Sequence, residues 1–270
     1  MNNWTTAVST DLYALIQKPR LGLIVDIDGT LSHIADTPAD ARVTERNKHL
    51  LGKLLRHLDV VAAVSGRAAA DAYKMVDVPG VLYIGNHGME RMQGTEVDIL
   101  PEVRRFRPKV DEVMGKLQNM HLPGVIIEDK YVSLSVHYRQ AEDPQAMGEK
   151  LRPTIKNLCY NHDLSFHEGR MVFEVRPGIS LNKGTALETL AREYDLHGLV
   201  FIGDDTTDVD AMRAARRLRI NNECYAISLG VDSPETPDAV RDNADLIVQG
   251  VEGVEEFLSW LLRARKASSS

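Results

Sequence analysis

The chain has 270 residues, 43% hydrophobic and 26% charged, which is enough apolar content for one large core and a smaller second one. Its formal net charge of -7 argues against a broad nucleic-acid or anionic-membrane surface, while leaving room for a local basic pocket that meets an anionic substrate. The two cysteines, Cys159 and Cys224, lie far apart without metal-ligand spacing, Met1 to Arg20 has no signal-like apolar region, and no apolar run reaches membrane-spanning length, so a soluble cytoplasmic protein is expected, taken as a monomer although nothing in the sequence reveals oligomeric state.

Leu21 to Val25 is apolar without polar alternation, which suits a strand buried on both faces, and it ends in Asp26 and Asp28. Carboxylates about 4 Å apart repel by roughly 4 kcal/mol at an effective dielectric near 20, so the pair needs a cation or a shared proton. A helix is expected over Thr44 to Leu58, a strand over Val60 to Val64, a helix over Ala68 to Val76 and a strand over Val81 to Ile84.

From about Val103 to Val175 the pattern changes. Pro108 opens a helix with the apolar stripe Val110, Val113, Met114 and Leu117. Val125 to Lys130 and Tyr131 to Arg139 read as strands, the second alternating Val132, Leu134, Val136 and Tyr138 with Ser133, Ser135, His137 and Arg139. Asp143 and Pro144 begin another helix, which Pro153 should kink or split. Leu164 to His167 and Met171 to Val175 read as a second hairpin.

Strand and helix then alternate again: a helix over Lys183 to Tyr194, a strand over Leu199 to Ile202, a helix over Thr207 to Leu218, strands over Tyr225 to Leu229 and Leu246 to Val248, and a helix over Val254 to Arg263. The tail from Arg263 to Ser270 loses its apolar period and is expected to fray. The whole reads as an α/β doubly wound parallel sheet formed by residues 1–102 and 176–270, with a smaller α+β unit, 103–175, inserted into it.

Four polar clusters follow the expected core strands, and the carboxyl edge of an open α/β sheet is where ligands gather. They are Asp26 and Asp28 with Gly29 and Thr30; Ser65, Gly66 and Arg67 ahead of a helix; Lys183 after Pro177 and Gly178; and the acidic loop Gly203 to Asp208. Several carboxylates with one lysine and one hydroxyl suit an octahedral, oxygen-liganded Mg2+ and a phosphate. Asp26 could attack phosphorus while Asp28 protonates the leaving alcohol and later deprotonates water. Taken singly, an acidic turn can be a solvated cap and a Ser-Gly turn only a turn; their joint order favours phosphoryl transfer.

These clusters resemble the four motifs of the haloacid dehalogenase superfamily of phosphatases. The resemblance implies a Rossmann-like core, Mg2+ dependence, Asp26 as nucleophile, Asp28 as acid and base, Ser65 and Lys183 on the phosphate, and Asp204 on the metal with Asp26 and Asp28. Asp208 matches the last acidic position, as a ligand or behind one, and Asp205 stands where many relatives carry glycine. The insert resembles the α/β cap that such enzymes close over small substrates.

Val64 to Arg67, Gly85 to Gly88, Ile127 to Lys130, Ser133 to Arg139, and Glu174 to Pro177 with Lys183 and Gly184 together resemble trehalose-6-phosphate phosphatases. By this resemblance Gly66, Arg67, Asn86 and His87 border the substrate, and Glu128, Lys130, Arg139 and Glu174 line the cap face toward the two glucose units. Val209 departs from the pattern, since many relatives carry another acid there. The chain begins almost at the first motif, so no fused synthase domain is expected. Without the family pattern, Glu128 to Lys130 could equally be a charged hairpin turn, His137 and Arg139 a solvated strand face, and Glu174 a cross-strand partner. The same chemistry on sucrose phosphate or on a mannosyl or glucosyl phosphoglycerate is the nearest alternative. A phospho-aspartate receiver or a silent sugar-phosphate sensor is a more distant one.

Overall fold

The computed structural model describes Trp4 and residues 10–35, 40–169 and 171–268. In chain order the first elements are α1 (Asp11–Ile16), β1 (Leu21–Val25), α2 (Glu45–Leu54), β2 (Val60–Val64), α3 (Ala69–Val76), β3 (Leu82–Gly85), β4 (Glu90–Gln93) and β5 (Glu96–Ile99). Next come α4 (Pro101–Arg104), α5 (Arg107–Gln118), β6 (Ile126–Asp129), β7 (Leu134–His137), α6 (Pro144–Asn161), β8 (Leu164–Gly169) and β9 (Val172–Pro177). The last are α7 (Lys183–Glu193), β10 (Gly198–Gly203), α8 (Val209–Ile220), β11 (Tyr225–Asp232), α9 (Asp238–Asn243), β12 (Leu246–Gln249) and α10 (Gly250–Ser268).

Two compact units result, one from residues 1–98 and 181–270 and the other from 99–180. The division falls a few residues outside the limits expected at 103 and 175. Val103 of α4 is buried, and Ile179, beyond β9, packs on the smaller unit's own apolar cluster.

The larger unit holds an eight-stranded sheet in the order β12-β11-β10-β1-β2-β3-β4-β5. Pairing is parallel from β12 to β3 and antiparallel between β3 and β4. Strand β1 is central, with Val25 opposite both Ile202 of β10 and Ala63 of β2. The chain winds outward from β1 in one direction through β2 and β3, and later in the other through β10, β11 and β12. The carboxyl ends of β1, β2 and β10 therefore flank a topological switch point, where such sheets leave a crevice.

Both sheet faces are covered, which is why these strands are continuous apolar runs. Leu23, Val25, Val61 and Ala63 join one buried cluster with Leu50, Leu51 and Leu54 of α2 and Phe257, Leu258 and Leu261 of α10. Ile24, Ala62 and Val64 point the other way, into a cluster with Leu187 and Leu190 of α7 and Met212 and Leu218 of α8.

The tail departs from expectation: α10 continues to Ser268, with 269–270 outside the described residues. Arg265 is buried, and its guanidinium donates to the carbonyls of Ile16, Lys18 and His57, so a cation where an apolar residue would continue the stripe is satisfied instead.

In the smaller unit the antiparallel sheet runs β6-β7-β9-β8. Leu134, Val136, Phe173 and Val175 pack against Val110, Val113 and Leu117 of α5 and Leu151, Ile155 and Cys159 of α6. Pro153 does not split α6, an 18-residue helix whose stripe Leu151, Ile155 and Cys159 stays buried across it. The expected strand from Tyr131 is shortened to Leu134–His137, because Tyr131 has φ 66, outside the extended region.

Replacing Arg265 with methionine leaves three carbonyls without this donor. It should lower the free energy of unfolding by about 3 kcal/mol, read from urea denaturation. An unchanged midpoint would show that the tail does not clamp the core.

Candidate active site

Asp26 leaves β1, Ser65 leaves β2 and Asp204 leaves β10, so three parallel strands bring residues from distant parts of the sequence to one edge. After Asp28 the chain turns back sharply: Gly29 N–H donates to the Ser32 carbonyl at 2.9 Å and Leu31 N–H to that of Ile27 at 2.9 Å. Gly29 has φ +81, and a Cβ there would lie 2.0 Å from Asp204 Oδ2, so only glycine lets the two acidic loops approach.

Lys183 opens α7. Asn182 fixes that start by a reciprocal cap, accepting from Thr185 N–H at 2.9 Å while Thr185 Oγ1 accepts from Asn182 N–H at 3.0 Å. A cation at a helix N-terminus opposes the helix dipole. Here the Lys183 ammonium is buried and donates to Asp26 Oδ1 at 2.6 Å and Asp208 Oδ1 at 2.7 Å. The other oxygen of Asp208 accepts from the N–H groups of Asp204, at 3.1 Å, and Asp205, at 3.0 Å, which folds the acidic loop around it. Asp204 Oδ1 accepts from the Thr30 hydroxyl at 3.2 Å.

Asp26, Asp204 and Asp208 are all buried, and one ligand oxygen from each lies within 4.8 Å of the others. Burial is the largest influence on all three carboxyls and pushes each above the usual carboxylate range, with Lys183 pulling the other way; Asp204 is raised to about 7. Burial alone would lower Lys183, but Asp208 and Asp26 outweigh it and hold its ammonium above the ordinary lysine range. One ammonium thus faces three carboxylates, and the excess negative charge with its oxygen-only donors fits a hard divalent cation such as Mg2+.

Asp28, expected in the metal set, has its carboxylate elsewhere. Arg67 forks onto it, Nε to Oδ2 at 2.7 Å and Nη2 to Oδ1 at 2.7 Å. Arg67 itself was expected to border the substrate. Ser65 is buried, and its Oγ accepts from Arg67 N–H at 3.1 Å. Asn86 and His87, both buried and left-handed in φ, tie into the same loop: Asn86 N–H donates to the Arg67 carbonyl at 2.7 Å and His87 N–H to that of Ser65 at 3.0 Å. Gly66 lets the His87 ring close on this turn, since a Cβ there would lie 2.6 Å from Nε2.

In the smaller unit, cross-strand register aligns Glu128, Ser135, Glu174 and His167 in one row. Glu128 Oε2 meets His137 Nε2 at 2.9 Å, and Lys130 Nζ lies 3.7 Å from Glu174 Oε1. Arg139 is exposed, beyond the end of β7. The sequence reading gave no role to Arg176, whose guanidinium donates to Glu174 Oε2 from both Nε and Nη2. Its signal was available, because Glu174 and Arg176 are two apart on one strand and share a face. The capping role of Asn182 was also missed. The same is true of Glu90, whose Oε1 accepts from Ala69 N–H at 2.6 Å where α3 begins.

The raised carboxyl of Asp204 gives a pH test. In the unfolded chain it ionises near 3.8 and in the fold near 7, so the native state holds the extra proton between those values and cation-free stability falls as pH rises through that window. Asp204→Asn should flatten that slope. Added Mg2+ should raise the melting temperature of the unsubstituted protein most above about pH 7, where no proton competes, and raise that of Asp204→Asn far less. A Mg2+ shift independent of pH and of this residue would contradict the assignment.

The profile of the trehalose-phosphatase family matches residues 24–241. A rice (Oryza sativa subsp. japonica) protein named "Probable trehalose-phosphate phosphatase 2" is 31% identical over 285 residues, covering 93% of this chain and 71% of its own. Among solved structures, the trehalose-6-phosphate phosphatase C-terminal domain of C. albicans superposes with a TM-score of 0.73 at 23% identity, over 93% of this chain and 96% of that one. A haloacid dehalogenase-like hydrolase from Bacteroides thetaiotaomicron does so with 0.63 at 15% identity, over 90% and 99%. The fold is that of the haloacid dehalogenase hydrolases, and the chain belongs to the trehalose-phosphatase family.

Proposed function

We propose that the chain hydrolyses trehalose 6-phosphate to trehalose and phosphate through a phosphorylated Asp26. The supporting observation is the buried carboxylate of Asp26, held by Lys183 beside Asp204 and Asp208. Its Oδ1 is fixed by the ammonium, while its other oxygen is the candidate nucleophile. That oxygen bonds to phosphorus as the bond from phosphorus to the sugar oxygen breaks, and Asp28 supplies the proton to the leaving alcohol. Water then attacks phosphorus, Asp28 takes its proton, and the bond to Asp26 breaks with its electron pair returning to the carboxylate.

Mg2+ held by Asp26 and Asp204, with Asp208 as a ligand or behind one, would offset the crowded negative charge and polarise the phosphoryl oxygens. Lys183 keeps one positive charge at the nucleophile throughout. The Ser65 hydroxyl at the end of β2 suits a phosphate oxygen.

The smaller unit reads the sugar in this proposal. Glu128, Lys130 and Glu174 carry charged groups on one sheet face, and such groups hold hydroxyls by several hydrogen bonds each. Arg139, Asn86 and His87 are assigned to the substrate by family pattern. The substrate is a small molecule, and the net charge of -7 supports a protein without nucleic-acid or membrane partners. Among the described residues no helix is long and apolar enough to cross a membrane, and both cysteines are free and buried. A cytoplasmic monomer is the accompanying proposal.

Two measurements test this reading. Phosphate release should be Mg2+-dependent and fastest with trehalose 6-phosphate in a panel containing sucrose phosphate and glucosyl and mannosyl phosphoglycerates; preference for another member would reassign the substrate. Glu128→Ala or Glu174→Ala should raise KM for trehalose 6-phosphate at least about tenfold, and that for 4-nitrophenyl phosphate little. Equal rises would remove these residues from sugar recognition.

A further inference from the structure

We propose that Arg67 is a positioning residue for Asp28, holding its carboxylate as the proton acceptor for the step in which water releases phosphate from Asp26. The inference rests on the aspartyl-phosphate reading above and assigns Arg67 a role distinct from phosphate binding.

Both partners are fixed by backbone. Arg67 N–H is held by Ser65 Oγ at 3.1 Å and its carbonyl by Asn86 N–H at 2.7 Å, while Asp28 bridges to Ser32 in the turn closed by Gly29. Between these anchors the guanidinium meets the carboxylate in two parallel contacts of 2.7 Å, which sets the plane of the acid as well as its distance. A lysine, as a point charge, can hold the distance but not the plane.

The fork occupies only part of the carboxylate. It takes one acceptor direction on each oxygen of an ionised carboxylate and leaves the others open for a proton from water. The Asp28 side chain is 39% exposed, so water reaches it. In the hydrolytic step a water oxygen bonds to phosphorus, its proton passes to Asp28, and the bond between phosphorus and Asp26 breaks with its electron pair returning to Asp26. The proton on Asp28 is then available for the next leaving alcohol.

Kinetics of Arg67→Lys and Arg67→Gln with 4-nitrophenyl phosphate and Mg2+ test this, because that leaving group departs without protonation and isolates the second step. The expected result is a fall in kcat of about 100-fold, with KM falling alongside so that kcat/KM changes less than about threefold. Acid-quenched samples should show phosphorylated protein approaching one phosphate per chain. An unchanged kcat, or a kcat/KM that falls as far as kcat, would overturn the proposal, the second outcome assigning Arg67 to the first step, transfer of the phosphoryl group to Asp26. Arg67→Lys keeps the charge and stem and so guards against loss of fold. Failure of the underlying reading looks different: Asp26→Asn would then turn over, whereas failure of this inference alone leaves that variant inactive.

Discussion

A single buried ammonium among three buried carboxylates is the constraint on which the rest of this molecule depends. Lys183 offsets Asp26 and Asp208 by direct contact, and Asp204 adds a charge that has a hydroxyl from Thr30. Removing any one charge unbalances the others, because each carboxyl is already pushed upward by burial. A site of this kind is expensive for the fold: it gathers three carboxyls around one ammonium where water is scarce, and the excess negative charge suits a divalent cation.

The sheet explains how so unfavourable an arrangement is maintained. Strands β1, β2 and β10 are buried on both faces and locked in parallel register, so their carboxyl ends cannot drift apart without breaking the core. Gly29 admits the Asp204 loop, Asn182 pins the start of α7 beneath Lys183, and Asp208 folds its own loop through two backbone N–H groups. In the smaller unit the cross-strand row holds Glu128 and Glu174, tethered by His137, Lys130 and Arg176; under the proposed function their acceptors are set before a sugar arrives.

Much of this was legible in the sequence where one local rule governed the outcome. Leu21–Val25 and Val60–Val64 are strands over the expected residues because a doubly covered strand is an uninterrupted apolar run. Asp26, Ser65 and Asp204, which the structure brings to one edge, could be singled out because each follows such a run. Where long-range partners decide, local pattern failed: Arg265 reads as the start of a frayed tail until the carbonyls of residues 16, 18 and 57 are beside it. Helix α1 and the mixed-polarity strands β4 and β5 were not anticipated, since short segments carry too few periods to read. Asp28 was assigned to the metal by family resemblance, yet its carboxylate turns to an arginine 39 positions away.

The claim that phosphate passes through Asp26 is tested most directly by the stereochemical course at phosphorus. A phosphorothioate ester made chiral with oxygen isotopes would be hydrolysed in isotopically labelled water, and the configuration of the released thiophosphate determined. Two successive in-line displacements, at Asp26 and then at water, predict overall retention. Inversion would mean that water attacks the ester directly, and the buried carboxylate would then have no covalent part in the reaction.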